Sequence, residues 1–373
     1  MRFSKHNLQA TISCLYNSVD LIIISPLSVF LHFTINNQNL YIKLFIDIII
    51  TNVLQNFAIY GNILFTHGEI MKMEAEKIDL KYINENAKND CRNFVLECEN
   101  KYRSQIDEVT KTITNDKSIK FVLLTGPSSS GKTTTSKLLA MRLEKAGYDT
   151  LPISLDDYFV ERNETPLWED GELNYETSDS IDWHLFGSCM KKLLRGEATT
   201  LPTYNFATGK KEFLNAPTSL STHGIVVIEG LHALNPIIDK YIPINKSYKI
   251  YISANTDIYQ DGKLLLKHFD VRVYRRMIRD LYTRSISIDG TLKVWQKVRL
   301  GENLYIDPFK DDANYHINSF HAYELCIYKK ILKDFESDSK ELNKLKNRLK
   351  NFEELSFKIA PKDSVLQEFL PKN

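Results

Sequence analysis

Cysteine is scarce in this 373-residue chain, and no two of its five cysteines (Cys14, Cys91, Cys98, Cys189 and Cys326) form a C-x-x-C pair. The odd count and wide spacing suggest neither a disulfide framework nor a zinc site. Reduced thiols in a cytoplasmic setting are the expectation. An excess of one charge is also lacking: 48 Lys and Arg stand against 47 Asp and Glu. No overall field therefore recruits nucleic acid or an acidic membrane, and no stable nucleic-acid partner is expected. Uninterrupted apolar runs are short. The longest candidate, Leu44 to Phe65, contains Asp47, Asn52, Gln55 and Asn56, whereas a bilayer-spanning helix needs about 20 mostly apolar residues. A membrane span is not expected. The stretch Met1 to Asp20 places Arg2 and Lys5 before its first acid but lacks the arginine density of an organelle-targeting leader. No unit of about 20–50 residues repeats.

What is present divides the chain into three. Residues 1–70 form an apolar region rich in Asn and Ile, with runs at Leu21-Ile22-Ile23-Ile24 and Ile48-Ile49-Ile50; such runs suggest a surface for a homo-oligomer. Residues 71–114 are charged and amphipathic. Ile78, Tyr82, Cys91, Val95, Cys98, Tyr102 and Ile106 recur near helical spacing, which predicts one or two linker helices. Asn115-Asp116-Lys117 breaks that pattern, and residues 115–373 form the third region.

The third region opens with its strongest signal. Phe121-Val122-Leu123-Leu124 reads as a strand, Gly126-Pro127-Ser128-Ser129-Ser130-Gly131-Lys132-Thr133 follows, and an apolar helix begins beyond Thr134. Strand, G-x-x-x-x-G-K-T and helix make a P-loop in its required context. Its backbone N–H groups and the helix N-terminus suit phosphate. Lys132 would reach the β- and γ-phosphates of ATP, and the Thr133 hydroxyl would hold Mg²⁺. A second strand, 150–155, ends in Asp156-Asp157. Carboxylates at that end face the ligand crevice of an open α/β sheet, and Asp156 is the candidate base for an acceptor hydroxyl. Asp157 reads as a cap. A third strand, 224–228, ends in Glu229, a candidate for the metal's surroundings, and a fourth spans 248–253. Alternation of strands and helices predicts an α/β fold with a mainly parallel sheet. In the helix from Arg272 to Arg284, Arg272, Arg276 and Arg279 share a face. Guanidinium forks suit the charge spread over a transferring phosphoryl group, so this helix reads as a lid.

With these residues placed, residues 121 to 370 resemble the uridine kinase and phosphoribulokinase family of P-loop kinases, nearest to its multi-domain bacterial-type nucleoside kinase branch. The likeness rests on G-P-S-S-S-G-K-T, S-L-D-D-Y-F, L-P-T-Y-N-F-A-T-G-K-K-E, V-V-I-E-G-L-H-A-L-N-P, R-R-M-I-R-D and G-E-N-L-Y-I-D-P-F, in the family's order. It implies a P-loop kinase fold, ATP and Mg²⁺ as cofactors, and transfer to a nucleoside 5′-hydroxyl. It makes Asp156 the catalytic aspartate and puts Tyr158 of the same motif near the acceptor. Tyr175-Glu176 matches an aromatic–aspartate pair whose carboxylate receives the ribose diol. Tyr204 and Phe206 match aromatics beside the base, Glu229 the carboxylate near the metal, and Arg276, Arg279 and Arg284 the lid arginines. Gly126, Ser128, Ser129, Ser130, Gly131, Lys132, Thr133 and Thr134 form the ATP cradle.

Some positions depart from the family's pattern. Gly209, followed by Lys210-Lys211, stands where pyrimidine-specific relatives carry a base-reading histidine. Ser285 and Ile286 replace a usual glycine and a further arginine, and Asn314 replaces a common aspartate. Two other readings stay open: a kinase for another hydroxylated metabolite, such as a phosphorylated sugar, or an ATP-binding module without catalysis.

Overall fold

The computed structural model describes residues 18–25, 28–35, 38–44, 74–214, 216–336 and 338–372. The chain divides into two compact units, Met1–Met71 and Lys72–Asn373. In the first, strands β1 (Ser18–Ser25), β2 (Ser28–Ile35) and β3 (Gln38–Leu44) pair as an antiparallel meander. Leu31 stands opposite Leu21 on one side and Ile42 on the other. The run Ile48–Ile50, most of the stretch Leu44 to Phe65 and Met1 to Asn17 lie outside the described residues. Among the described residues, no helix is long and apolar enough to cross a membrane.

The second unit is built on β5 (Phe121–Thr125), β6 (Asp149–Ser154), β9 (Gly224–Glu229), β10 (Ser247–Ser253) and β13 (Tyr315–Asn318). They form one sheet in the order β13-β10-β5-β9-β6, and every pair is parallel. Every residue of β5 and β9 is buried, which is why both strands read as continuous apolar runs. The two-residue strand period still sorts their side chains. Val122, Leu124, Ile225 and Val227 enter the core on one face, and Phe121, Leu123, Val226 and Ile228 the core on the other. The α/β architecture is the expected one. The fifth strand was not foreseen, because Tyr315-His316-Ile317-Asn318 is a short, polar segment at the sheet edge.

The expected linker behaves differently. Its helices are α1 (Leu80–Asn89) and α2 (Cys91–Asn115), preceded by β4 (Glu76–Asp79). Phe94, Tyr102, Ile106, Val109 and Ile113 on α2 share a core with Val122, Leu139 and Leu143. β4 also pairs in parallel with β11 (Thr256–Gln260), itself in a hairpin with β12 (Lys263–Leu266). The compact unit therefore begins at Lys72 rather than near residue 115. The amphipathic stripe that reads as a linker is the face α2 buries against the helix after the P-loop and against β13.

The remaining helices are α3 (Lys132–Lys145), α4 (Trp183–Leu194), α5 (Asp270–Thr283), α6 (Ile288–Tyr305), α7 (Glu324–Leu332) and α8 (Lys340–Leu349), of which α3, α5 and α6 line the crevice. A short hairpin, β7 (Thr203–Asn205) with β8 (Lys210–Glu212), projects beside them.

Candidate active site

The P-loop connects β5 to α3, and two glycines are sterically required in it. A Cβ at Gly126 would stand 2.1 Å from the Ile252 carbonyl oxygen. Gly131 caps α3 with φ +93°, and a Cβ there would meet a Val365 methyl at 2.5 Å. Lys132 Nζ donates to the carbonyls of Gly126 (2.9 Å) and Pro127 (3.2 Å). The loop is braced from below. Thr135 Oγ1 donates to Gly131 O at 2.6 Å and lies 2.7 Å from Tyr102 Oη of α2.

Ser128 to Thr133 line a cavity of about 670 Å³. Thr133 Oγ1 lies 3.3 Å from Glu229 Oε1, which also accepts from Ser154 Oγ at 2.9 Å. Asp156 is the second residue of the 3-10 turn Leu155–Tyr158 that follows β6, and it faces the same space. Burial pushes its carboxyl above the ordinary range, against the pull of Lys132, Arg284 and Arg279. Burial likewise raises the Glu229 carboxyl to about 7, with Asp156 adding like-charge repulsion. Such a pair of carboxylates beside a hydroxyl suits a hard cation. Thr133 and Glu229 offer oxygen ligands for Mg²⁺, which keeps several waters and phosphate oxygens of its own. Among the described residues there is no cluster of three or more His, Cys, Asp or Glu able to hold a metal unaided.

The 3-10 geometry also sorts the aromatic residues. Residues i and i+3 of such a turn eclipse one another, so Asp156 and Phe159 both face the cavity. Tyr158 points the other way: it is 1 % exposed and packs edge-on to Phe186 at 5.3 Å. Tyr158 is thus a core residue and not a wall of the site. Tyr204 is corrected in the same sense. Only 4 % exposed, it backs Phe159 and Phe206 edge-on at 5.6 and 5.1 Å, while Phe206 reaches the cavity. A continued pleat would put these two on one face, but β7 ends at Asn205, so Tyr204 turns into the core while Phe206 lies beyond the strand.

Tyr175, Phe159, Trp168 and Phe206 form aromatic walls of the cavity, which Leu173 and Val298 also line. Lys297 of α6 pairs with Asp170 and with Glu172 (2.6 Å), pinning the turn that carries Trp168. Glu176 also lines the cavity, and its buried Oε2 has no hydrogen-bond partner. Burial raises its carboxyl to about 7, partly opposed by Arg276. Room for it comes from Gly301, where a Cβ would stand 2.3 Å from Glu176 Cβ.

The arginine helix α5 divides into two sets. Arg276 donates to Ser128 Oγ at 2.7 Å. Arg276, Arg279 and Arg284 all line the cavity and all approach Asp280, at 3.4, 3.0 and 3.7 Å. Arg272 and Arg275 are buried and hold the P-loop backbone instead. Arg272 pairs with Glu302 (2.6 and 2.9 Å) and donates to Ser128 O, while Glu302 Oε1 accepts from Ser128 N at 3.0 Å. Arg275 grips Glu324 at 2.7 and 2.8 Å and donates to Ser129 O and Ser319. The shared helical face of Arg272, Arg276 and Arg279 therefore does not give a shared environment. A carboxylate 30 residues along the chain captures Arg272.

The departures have physical counterparts. Ser285 adopts φ +56°, the left-handed region that glycine tolerates best, and Ile286 lines the cavity. Asn314 Oδ1 accepts from Lys249 N at 2.7 Å and so helps to seat β13. Gly209 closes the β7–β8 turn at φ +72°, and a Cβ there would lie 2.7 Å from Arg162 Cβ and 2.8 Å from Arg162 Nε. The Arg162 guanidinium donates to Phe206 O at 2.5 Å and lines the cavity. A Gly209→His substitution is accordingly expected to cost about 1–3 kcal/mol of stability, from backbone strain alone, without placing an imidazole in the site. Chemical denaturation of the variant measures this, and an unchanged midpoint contradicts it.

Arg162, Trp168 and Glu368 carry no signal in the sequence, whereas Phe159, Arg275 and Glu302 lie within S-L-D-D-Y-F, R-R-M-I-R-D and G-E-N-L-Y-I-D-P-F, whose pattern does not by itself assign them a role.

The model of the Phosphoribulokinase / Uridine kinase family matches residues 121–326, more than half of the chain. The uridine kinase of Leuconostoc citreum is 27% identical over 192 residues, covering 51% of this chain and 83% of its own. That of Mycoplasma genitalium is 28% identical over 180 residues, covering 48% and 74%. A solved chain described as a possible uridine kinase from Bacillus stearothermophilus is 24% identical, with a TM-score of 0.34 over 40% of this chain and 79% of that one. The matched segment carries the P-loop, Asp156, Glu176, Glu229 and the arginines of α5, and the chain belongs to the phosphoribulokinase / uridine kinase family.

Proposed function

We propose that this kinase transfers the γ-phosphoryl group of ATP to the 5′-hydroxyl of a nucleoside. One observation carries the reading: a single cavity is lined by the P-loop, by Asp156, and by Glu176 together with the aromatic side chains of Phe159, Trp168, Tyr175 and Phe206. Backbone N–H groups of the P-loop and Lys132 bind the phosphates. Asp156 takes the proton from the acceptor hydroxyl as its oxygen attacks the γ-phosphorus, and ADP leaves with the bond's electron pair. Arg276, Arg279 and Arg284 stabilise the charge on the transferring group. Mg²⁺ held by Thr133 and Glu229 would neutralise charge on the phosphate oxygens. Glu176 accepts from the ribose diol, and the aromatic walls stack the base. A bare sugar phosphate has no aromatic base to stack on those walls, which favours a nucleoside over that alternative. The four described cysteines are all free, which fits a reaction in the cytoplasm.

A panel of nucleosides and sugar phosphates with ATP tests the acceptor class. Turnover on a sugar phosphate with none on any nucleoside would sink the reading. The pH dependence of the acceptor KM gives a second test. With the Glu176 carboxyl at about 7, the group is protonated in acid and becomes a full acceptor for two hydroxyls above that value. The acceptor KM is therefore expected to fall as pH rises through about 7, and Glu176→Gln is expected to flatten the profile. The sign for stability is opposite. The native state holds this proton more tightly than the unfolded chain, so the group's contribution declines as pH rises from 4.5 towards 7.

A further inference from the structure

The C-terminal segment lies beyond the residues that match the family, 121–326, yet it reaches the P-loop. Val365, Leu366, Phe369 and Leu370 are fully buried. Val365 supplies the methyl that faces Gly131, and the Phe369 ring lies 4.9 Å from the buried Arg275 guanidinium. These anchors fix the 3-10 turn Val365–Glu368 against the start of α3, and Glu368 points from it into the cavity.

The Glu368 carboxylate accepts from Thr134 N at 3.2 Å and from Thr134 Oγ1 at 2.9 Å. Thr134 belongs to the first turn of α3, whose N–H groups have no partner inside the helix and present positive partial charge to an anion. A phosphate oxygen and Glu368 Oε2 cannot both take the Thr134 N–H donor. Nor can they stand side by side without repulsion, in a space that Asp156 and Glu229 also line.

Resting on the reading that this P-loop binds a nucleoside triphosphate, we propose that Glu368 sets the nucleotide affinity of the site. It is an anion of the chain itself on the first turn of α3, which the triphosphate displaces in order to be held. The family-matched core supplies the phosphate cradle, and the C-terminal turn supplies a competitor for it.

Calorimetric titration of the full chain with a non-hydrolysable ATP analogue and Mg²⁺ tests this. Glu368→Gln keeps an oxygen able to accept from Thr134 and removes the charge. It is expected to bind the analogue about five- to tenfold more tightly, the scale of a charge at a helix N-terminus. Melting curves with and without the analogue add a second readout: the analogue is expected to raise the melting temperature more in the variant than in the unaltered chain. A merely structural role would shift the melting temperature of the free protein and leave the increment alone. Equal or weaker binding by the variant overturns the proposal. Absence of binding by both proteins overturns the nucleotide reading beneath it, and the proposal with it.

Discussion

Asp156→Asn is expected to lower phosphoryl transfer by about 10²–10⁴-fold, the scale of losing a positioned proton acceptor, while the ATP analogue still binds. Asparagine keeps the volume at the end of β6 and the place beside Lys132, Arg279 and Arg284, but its amide cannot take the acceptor's proton. The side chain makes no hydrogen bond to the P-loop among the contacts of Ser128 to Thr134, so the cradle has no reason to change. Removing the carboxylate also relieves its repulsion of Glu229. The Glu229 carboxyl is then expected to move down from about 7, towards the form that suits a cation. Binding is therefore expected to be retained or improved as transfer falls. Single-turnover assays beside calorimetry separate the two. An Asn variant that transfers as fast as the unaltered chain removes Asp156 from the chemistry, and one that loses ATP binding makes it part of the cradle.

The same residue shows what was legible in the sequence. A strand, a glycine-rich loop with Lys132 and Thr133, and a carboxylate at the end of the next strand form local patterns, each readable within about ten residues. Their convergence follows from the parallel sheet, where neighbouring strands end on the same side. The residues that were misplaced depended on rotations that sequence spacing does not encode. Tyr158 lies two residues from Asp156, which turns it a third of the way round a 3-10 helix and off the face of Asp156. Tyr204 and Phe206 are separated by a strand exit rather than by a continued pleat. The arginines of α5 share a helical stripe, but Glu302 and Glu324, 30 and 49 residues away from their partners, decide which of them are buried. Likewise, the apolar stripe of α2 predicts a helix but not its destination, because Ile106 and Val109 meet Val122 and Leu139 only in the folded unit.

Breaking the pair formed by Arg275 and Glu324 is expected to have the largest effect on stability. Both side chains are fully buried, and the guanidinium makes two hydrogen bonds to the carboxylate. Arg275→Met leaves a carboxylate in the core without its cation, at an expected cost of about 3–5 kcal/mol. Urea denaturation followed by the fluorescence of Trp168, Trp183 and Trp295 measures the loss. The double variant Arg275→Met with Glu324→Leu is expected to recover part of it, because no uncompensated charge then remains buried. It should not recover nucleotide affinity, since Arg275 also donates to the Ser129 carbonyl and holds the P-loop backbone. Stability and binding would thus separate. A double variant no more stable than Arg275→Met would mean that the hydrogen bonds to Ser129 and Ser319, with those that Glu324 accepts from His321 N and Tyr328 Oη, outweigh the ion pair. The fold would then depend on this buried hydrogen-bond network more than on the charge pairing within it.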